Sequence, residues 1–196
     1  QAFLIAMVYY LGNSTWLFGI GYYTLYRPLV AGLIVGIILG DPVSGTIIGA
    51  TINLMYVGFI SAGGAIPGDP ALAGTLGTAL AIGSGLEPEA ALALAVPIGL
   101  LGTLIWFGKM TANTIFVHWI DKRAEEGDVR GVSLLNMVPA LIFLFLICFV
   151  PVFLAVLYGP QAVESAIAFL GQNVLNALIV VGGMMPALGI AMNLRA

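Results

Sequence analysis

The chain has 196 residues, 61% of them hydrophobic and 8% charged, with a formal net charge of −3. Soluble domains carry about 25% charged residues, and no soluble fold of this size hides so much apolar surface. The composition therefore excludes a water-soluble domain and places the chain in a membrane, and the slightly acidic balance gives no footing for a nucleic-acid partner.

In chain order, the first uncharged run, "AFLIAMVYYLGNSTWLFGIGYYTLY", is aromatic and interrupted by "GNST". Two placements are open for it: a span, or a segment lying partly in the interface where Tyr and Trp settle. It lacks the basic flank of a cleavable signal peptide. Arg27 follows as a headgroup or helix-start contact. "PLVAGLIVGIILG", residues 28–40, is 13 residues long, about 20 Å as a helix and too short to cross. Its glycines at 32, 36 and 40 share one face, which predicts close approach of another helix.

"GDP" at 40–42 breaks this segment, and helical character resumes in "VSGTIIGATINLMYVGFI". Thr46, Gly49, Ala50 and Asn53 form a small, polar stripe along that helix. "SAGGAIPGDPALAG" then carries Asp69 in a second Gly-Asp-Pro triplet. Pro suits the first turn of a helix and an Asp just before it can cap that helix. A carboxylate at membrane depth also points to a substrate or ion, and one oxygen can cap while the other binds. Irregular backbone in a membrane needs burial or water, and interrupted apolar segments point to a transporter's binding site. The prediction is an all-α, polytopic membrane protein with discontinuous or re-entrant helices around a polar cavity. Asp69, Asn53, Asp41 and Thr46 are its candidate substrate contacts.

Glu87 and Glu89 read as a helix start, as does Glu164. The uncharged runs 90–108 and 131–163 are long enough to span. Between them, "HWIDKRAEEGDVRG" (118–131) reads as a solvated helical end with a Gly stop. Lys109, Lys122, Arg123 and Arg130 lie in or beside it, so the positive-inside rule makes it cytoplasmic. In "IVVGGMMPALGIAM", Gly182, Gly183 and Pro186 are expected to break another long run.

Several motifs lead nowhere. "GDPVSGT" has the spacing of a phosphate-binding loop but lacks its Lys and a preceding strand. His118, the only His, sits beside Trp119 at a membrane edge and reads as interfacial. Cys148, the only Cys, reads as a packing residue. No catalytic constellation, metal site or cofactor is expected.

Arg27 to Ile82, with "LGDPVSGTIIGATINLMYVGF" and "PGDPALA" as its most specific blocks, resembles the IIC subunit of the mannose–fructose–sorbose family of the bacterial sugar phosphotransferase system. "DKRAEEGD" and "VLNALIVVGG" are also similar, so the resemblance covers nearly the whole chain. It implies a single transmembrane IIC domain over 1–196, in a multi-pass protein of the bacterial inner membrane. It implies pairing with a IID membrane subunit within a higher oligomer. An extracellular hexose-type sugar would be bound and carried inward, then phosphorylated by soluble IIB/IIA domains. Members run longer at the C-terminus, so the chain is expected to be a fragment. Asn53 departs from the Glu that some relatives carry, so no mechanism needing a charge there follows. Two rival readings stand beside this one. The first is an ion-coupled secondary transporter in which Asp41 or Asp69 titrates, and the second a structural subunit that scaffolds IID.

Overall fold

The computed structural model describes residues 1–14, 19–57 and 68–194, with side chains beyond 163 described only in part. All its regular elements are helical, and no strand occurs among the described residues. α1 is Ala2–Asn13 and α2 is the single turn Ile20–Tyr23. α3 is Pro28–Leu39 and α4 is Pro42–Tyr56.

The two Gly-Asp-Pro triplets start helices as their chemistry requires. Gly40 ends α3 in the left-handed region (φ 92°), its N–H bonded back to Gly36 O. That conformation favours glycine. Asp41 then caps α4: its Oδ1 accepts the Ser44 N–H at 3.0 Å, and Pro42 takes the first helical position. Asp69 repeats the device, with Oδ1 accepting the Leu72 N–H at 3.1 Å ahead of Pro70. The helical rod that follows runs as α5 (Pro70–Leu72), a π-helical turn (Ala73–Gly77) and α6 (Thr78–Gly83). Its residues 71–81 are all buried.

α3 and α4 form a tight antiparallel hairpin. A Cβ at Gly32 would stand 2.6 Å from Gly45 O and 2.7 Å from the Gly49 Cα, and one at Gly36 would stand 2.6 Å from Asp41 O and 2.9 Å from the Gly45 Cα. The close approach expected for the glycine face is present, with two differences. Gly40 is the turn and not part of the face. The partner surface is the chain's own Gly45 and Gly49, because a two-residue break returns α4 directly onto α3. Gly74 of the rod lies as close to Pro28, where a Cβ would meet the Pro28 Cα at 2.5 Å.

α7 (Pro88–Glu125) and α8 (Val129–Leu194) are the long helices. Glu89 lies in the first turn of α7, and Lys122 and Arg123 in its last, each suiting the helix dipole. Gly127 (φ 71°) makes the turn between them, and Asp128 caps α8 through the Gly131 N–H at 2.9 Å. The charged 118–131 segment is thus mostly helix, its stop at Gly127. The helices then run antiparallel, with Gly108 against Ile147 and Phe116 against Phe143. Pro88–Glu125 and Val129–Val163 are long and apolar enough to cross a membrane.

α8 differs from expectation. Its backbone stays helical through Gly182, Gly183 and Pro186, as it does through Pro139, Pro151 and Pro160. Within a membrane, neighbouring groups can re-satisfy the backbone that a proline frees, so proline does not by itself end a helix there. α1 covers the first part of the first run: at 12 residues it is a short helix, with Ile5, Ala6 and Tyr9 fully buried. An aromatic ladder on α8 receives it. Phe145, Phe149 and Phe153 stack at i,i+4 spacing, and Tyr10 and Phe3 of α1 meet that ladder edge-on. The "TWLF" part of the first run and residues 58–67 lie outside the described residues.

Candidate functional site

Asp69 is 3% exposed and sits where α1, α4, the central rod and α7 meet. Its Oδ1 caps the rod. Its Oδ2 accepts the Tyr9 hydroxyl of α1 at 2.6 Å. Its own N–H donates to Gly99 O of α7 at 2.8 Å. A side chain at Gly102, one turn further along α7, would occupy the space that the Asp69 side chain fills. A carboxylate this buried is tolerable only when hydrogen-bonded, and the fold supplies those bonds from separate elements.

Tyr56, at the end of α4, closes another side. Its ring lies 3.1 Å from where a Cβ at Gly68 would stand, and its hydroxyl takes the place a side chain at Gly99 would need. Asn53 is one helical turn before Tyr56 and half-buried. Asn53 and Asp69 therefore share one end of the α3–α4 hairpin.

Asp41 is elsewhere. It lies 12 residues before Asn53, about 18 Å along the axis of α4. It lines a separate cavity of about 360 Å³ together with Ser44, Ile48, Leu86 and Glu87, and neither Asn53 nor Asp69 lines that cavity. Thr46, near the same end, donates to Pro42 O of its own helix at 2.7 Å. The structure thus divides the four sequence candidates into two pairs. The reason is geometric: the two Gly-Asp-Pro triplets look alike in sequence but begin helices at different places in the fold.

Several residues of the Asp69 site carry no local sequence signal. Tyr9 is one of five tyrosines in the first aromatic run, and only the packing of α1 selects it. Tyr26, Tyr56, Lys109 and Cys148 all lie within electrostatic reach of Asp69. Lys109 does carry a sequence signal, a lone charge in an apolar helix. It does not belong with the 118–131 segment, because it lies 13 residues before Lys122, about 20 Å along α7. The Thr75 and Thr78 hydroxyls, in and beside the π-helical turn, are fully buried and find no hydrogen-bond partner among the described residues. Such turns recur at functional sites.

The sequence matches, over residues 1–196, the family described as "PTS system sorbose-specific iic component". The mannose-specific EIIC component of Escherichia coli is 31% identical over 170 residues, which is 87% of this chain and 64% of that protein. The chain thus spans somewhat less than two thirds of that relative's length. A solved structure described as a membrane protein superposes with a TM-score of 0.83 at 29% identity, covering 99% of this chain and 76% of the other. A second, the mannose transporter ManYZ in complex with a microcin, superposes with a TM-score of 0.71 at 28% identity, over the same shares.

Proposed function

Because the chain belongs to the mannose/sorbose-type IIC family of sugar phosphotransferase permeases, we propose that it is the membrane subunit that binds an extracellular hexose-type sugar and passes it inward. In this reading a IID subunit is its partner in the membrane, within a higher oligomer. The sugar is phosphorylated by a soluble IIB domain that IIA recharges, so this chain needs no catalytic group of its own.

One observation supports the reading most: a carboxylate buried at the junction of several helices, at the same end of α4 as an amide. A carboxylate oxygen has two acceptor sites. Oδ2 of Asp69 accepts from Tyr9 and has room in its lone pairs for a sugar hydroxyl. Asn53 offers a donor and an acceptor from one group. Asp69 and Asn53 are the proposed sugar contacts. Asp41 and Thr46 enter as contacts on the route to them, at the far end of α4. As folded here Asp69 is closed to solvent, so the sugar reaches it when the elements around it part, as alternating access requires.

The test is the energy source of uptake. The full-length protein, assembled with IID in sealed vesicles, should accumulate sugar only when phosphoenolpyruvate and the soluble phosphotransfer proteins are present. Uptake driven by a proton or sodium gradient without them would overturn the reading in favour of a secondary transporter. Uptake by the isolated full-length subunit would remove IID from the proposal.

A further inference from the structure

Between Glu89 and Asp121 the only Asp, Glu, Lys or Arg is Lys109. It is half-buried. Its ammonium stands over the Trp106 ring, 5.5 Å from the centroid. The ion pairs among the described residues all belong to Arg123, so Lys109 makes no direct ion pair there, although Asp69 lies within its electrostatic reach. An ammonium with no direct ion pair on an apolar helix is costly and marks a functional position by default.

Its place on the helix carries the argument. Gly99, Gly102, Trp106, Lys109 and Asn113 follow spacings of three and four, so they share one face of α7. The start of that face is fastened to Asp69 through Gly99 O and the bare backbone of Gly102. Lys109 is about 10 Å further along the helix, towards the charged end. As helical side chains do, Lys109 leans towards the N-terminal side, over Trp106, which sets its ammonium on the Asp69 side of its own Cα.

In the proposed reaction the sugar arrives neutral and leaves as a phosphate ester. The phosphoryl group is the only charge that the sugar gains, and it comes from the side to which α7 leads. We propose that Lys109, seated on Trp106, binds the phosphate of the phosphorylated sugar on the cytoplasmic flank of the Asp69 site. This rests on the sugar-permease reading above. The chemistry recognised is a phosphomonoester, and a lipid headgroup could offer a similar group.

The experiment uses the full-length subunit assembled with its membrane partner in nanodiscs of neutral lipid. Mannose, mannose phosphate and inorganic phosphate are titrated into wild type, Lys109→Gln and Lys109→Arg. Wild type should bind mannose phosphate more tightly than mannose, and inorganic phosphate should compete with the ester. Lys109→Gln should lose about tenfold in affinity for the ester, the worth of a charge-assisted bond, with mannose affinity changed by less. Lys109→Arg should keep the preference for the ester, since a guanidinium also binds phosphate. Equal wild-type affinity for mannose and its phosphate would overturn the proposal without any variant, and would leave the sugar reading standing. So would equal ester affinity in wild type and Lys109→Gln. A wild-type preference that disappears when phosphatidylglycerol is added would assign Lys109 to lipid and overturn it too. Failure of any hexose to bind, with no uptake dependent on phosphoenolpyruvate, would overturn the sugar reading and this inference together.

Discussion

The Tyr9 hydroxyl donates to Asp69 Oδ2 at 2.6 Å across 60 residues of sequence, and both side chains are buried. This bond ties α1 to the start of the central rod, while Gly99 O ties the same aspartate to α7. Tyr9→Phe keeps the ring and removes the donor. A hydrogen bond to a charged group contributes about 1.5–3 kcal/mol, so the variant should unfold measurably earlier in a thermal ramp of the purified complex. Wild-type stability would mean that the bond contributes nothing to holding α1.

Substitution of the two capping aspartates should separate their roles. Asn caps a helix about as well as Asp, so both Asp41→Asn and Asp69→Asn should fold. Asp69→Asn exchanges a charge-assisted acceptor for a neutral one and should weaken sugar binding by about tenfold. Asp41→Asn, about 18 Å from Asn53 along α4, should change it less. Titration of sugar into each assembled complex gives the ranking, and equal affinities for Asp69→Asn and wild type would place the sugar elsewhere.

Gly36 should tolerate no side chain. Its added Cβ would meet the backbone of Asp41 and Gly45, and backbone cannot rotate away as a side-chain tip can. Gly36→Ala should cost at least the roughly 1–3 kcal/mol of an overpacked core, and Gly36→Leu should prevent assembly. Size-exclusion profiles of the two variants check this, and a normally assembled Gly36→Leu protein would contradict the hairpin geometry.

The turn at Gly127 is expected on the cytoplasmic side. A cysteine in place of Glu126, which is exposed, should stay unlabelled by a membrane-impermeant thiol reagent in intact cells and react once they are opened. Cys148 is the only cysteine and is buried, so the background is low. Labelling from outside would invert the orientation.

Thr75 and Thr78 test the central rod. A buried hydroxyl without a partner costs about 1–3 kcal/mol, so Thr75→Val and Thr78→Val should leave the melting temperature unchanged or raise it. A clear loss of stability would reveal a bonding partner, such as a buried water.

Much of this protein is local, and the sequence by itself determined that much. Asp41 and Asp69 cap helices because Pro follows each and a backbone N–H lies three residues on, a contact that depends on nothing distant. The sparsity of charge alone places the chain in a membrane, and the most specific family blocks lie in one continuous stretch, Arg27 to Ile82, of a match that runs over residues 1–196. The tertiary structure alone decided which surfaces meet. The glycines of α3 could have faced any helix, and the turn at Gly40 delivers them to Gly45 and Gly49. The two look-alike triplets separate because α4 carries its own start away from Asn53. Proline does not stop α8, because a break requires that the freed backbone find no better partner than water, and that depends on the neighbours. Tyr9 bonds to Asp69, and Lys109 comes onto the α7 face that packs on it, because α1 and α7 are packed around the central rod. A bond across 60 residues is set by the closure of the whole fold, and no periodicity along the chain encodes it.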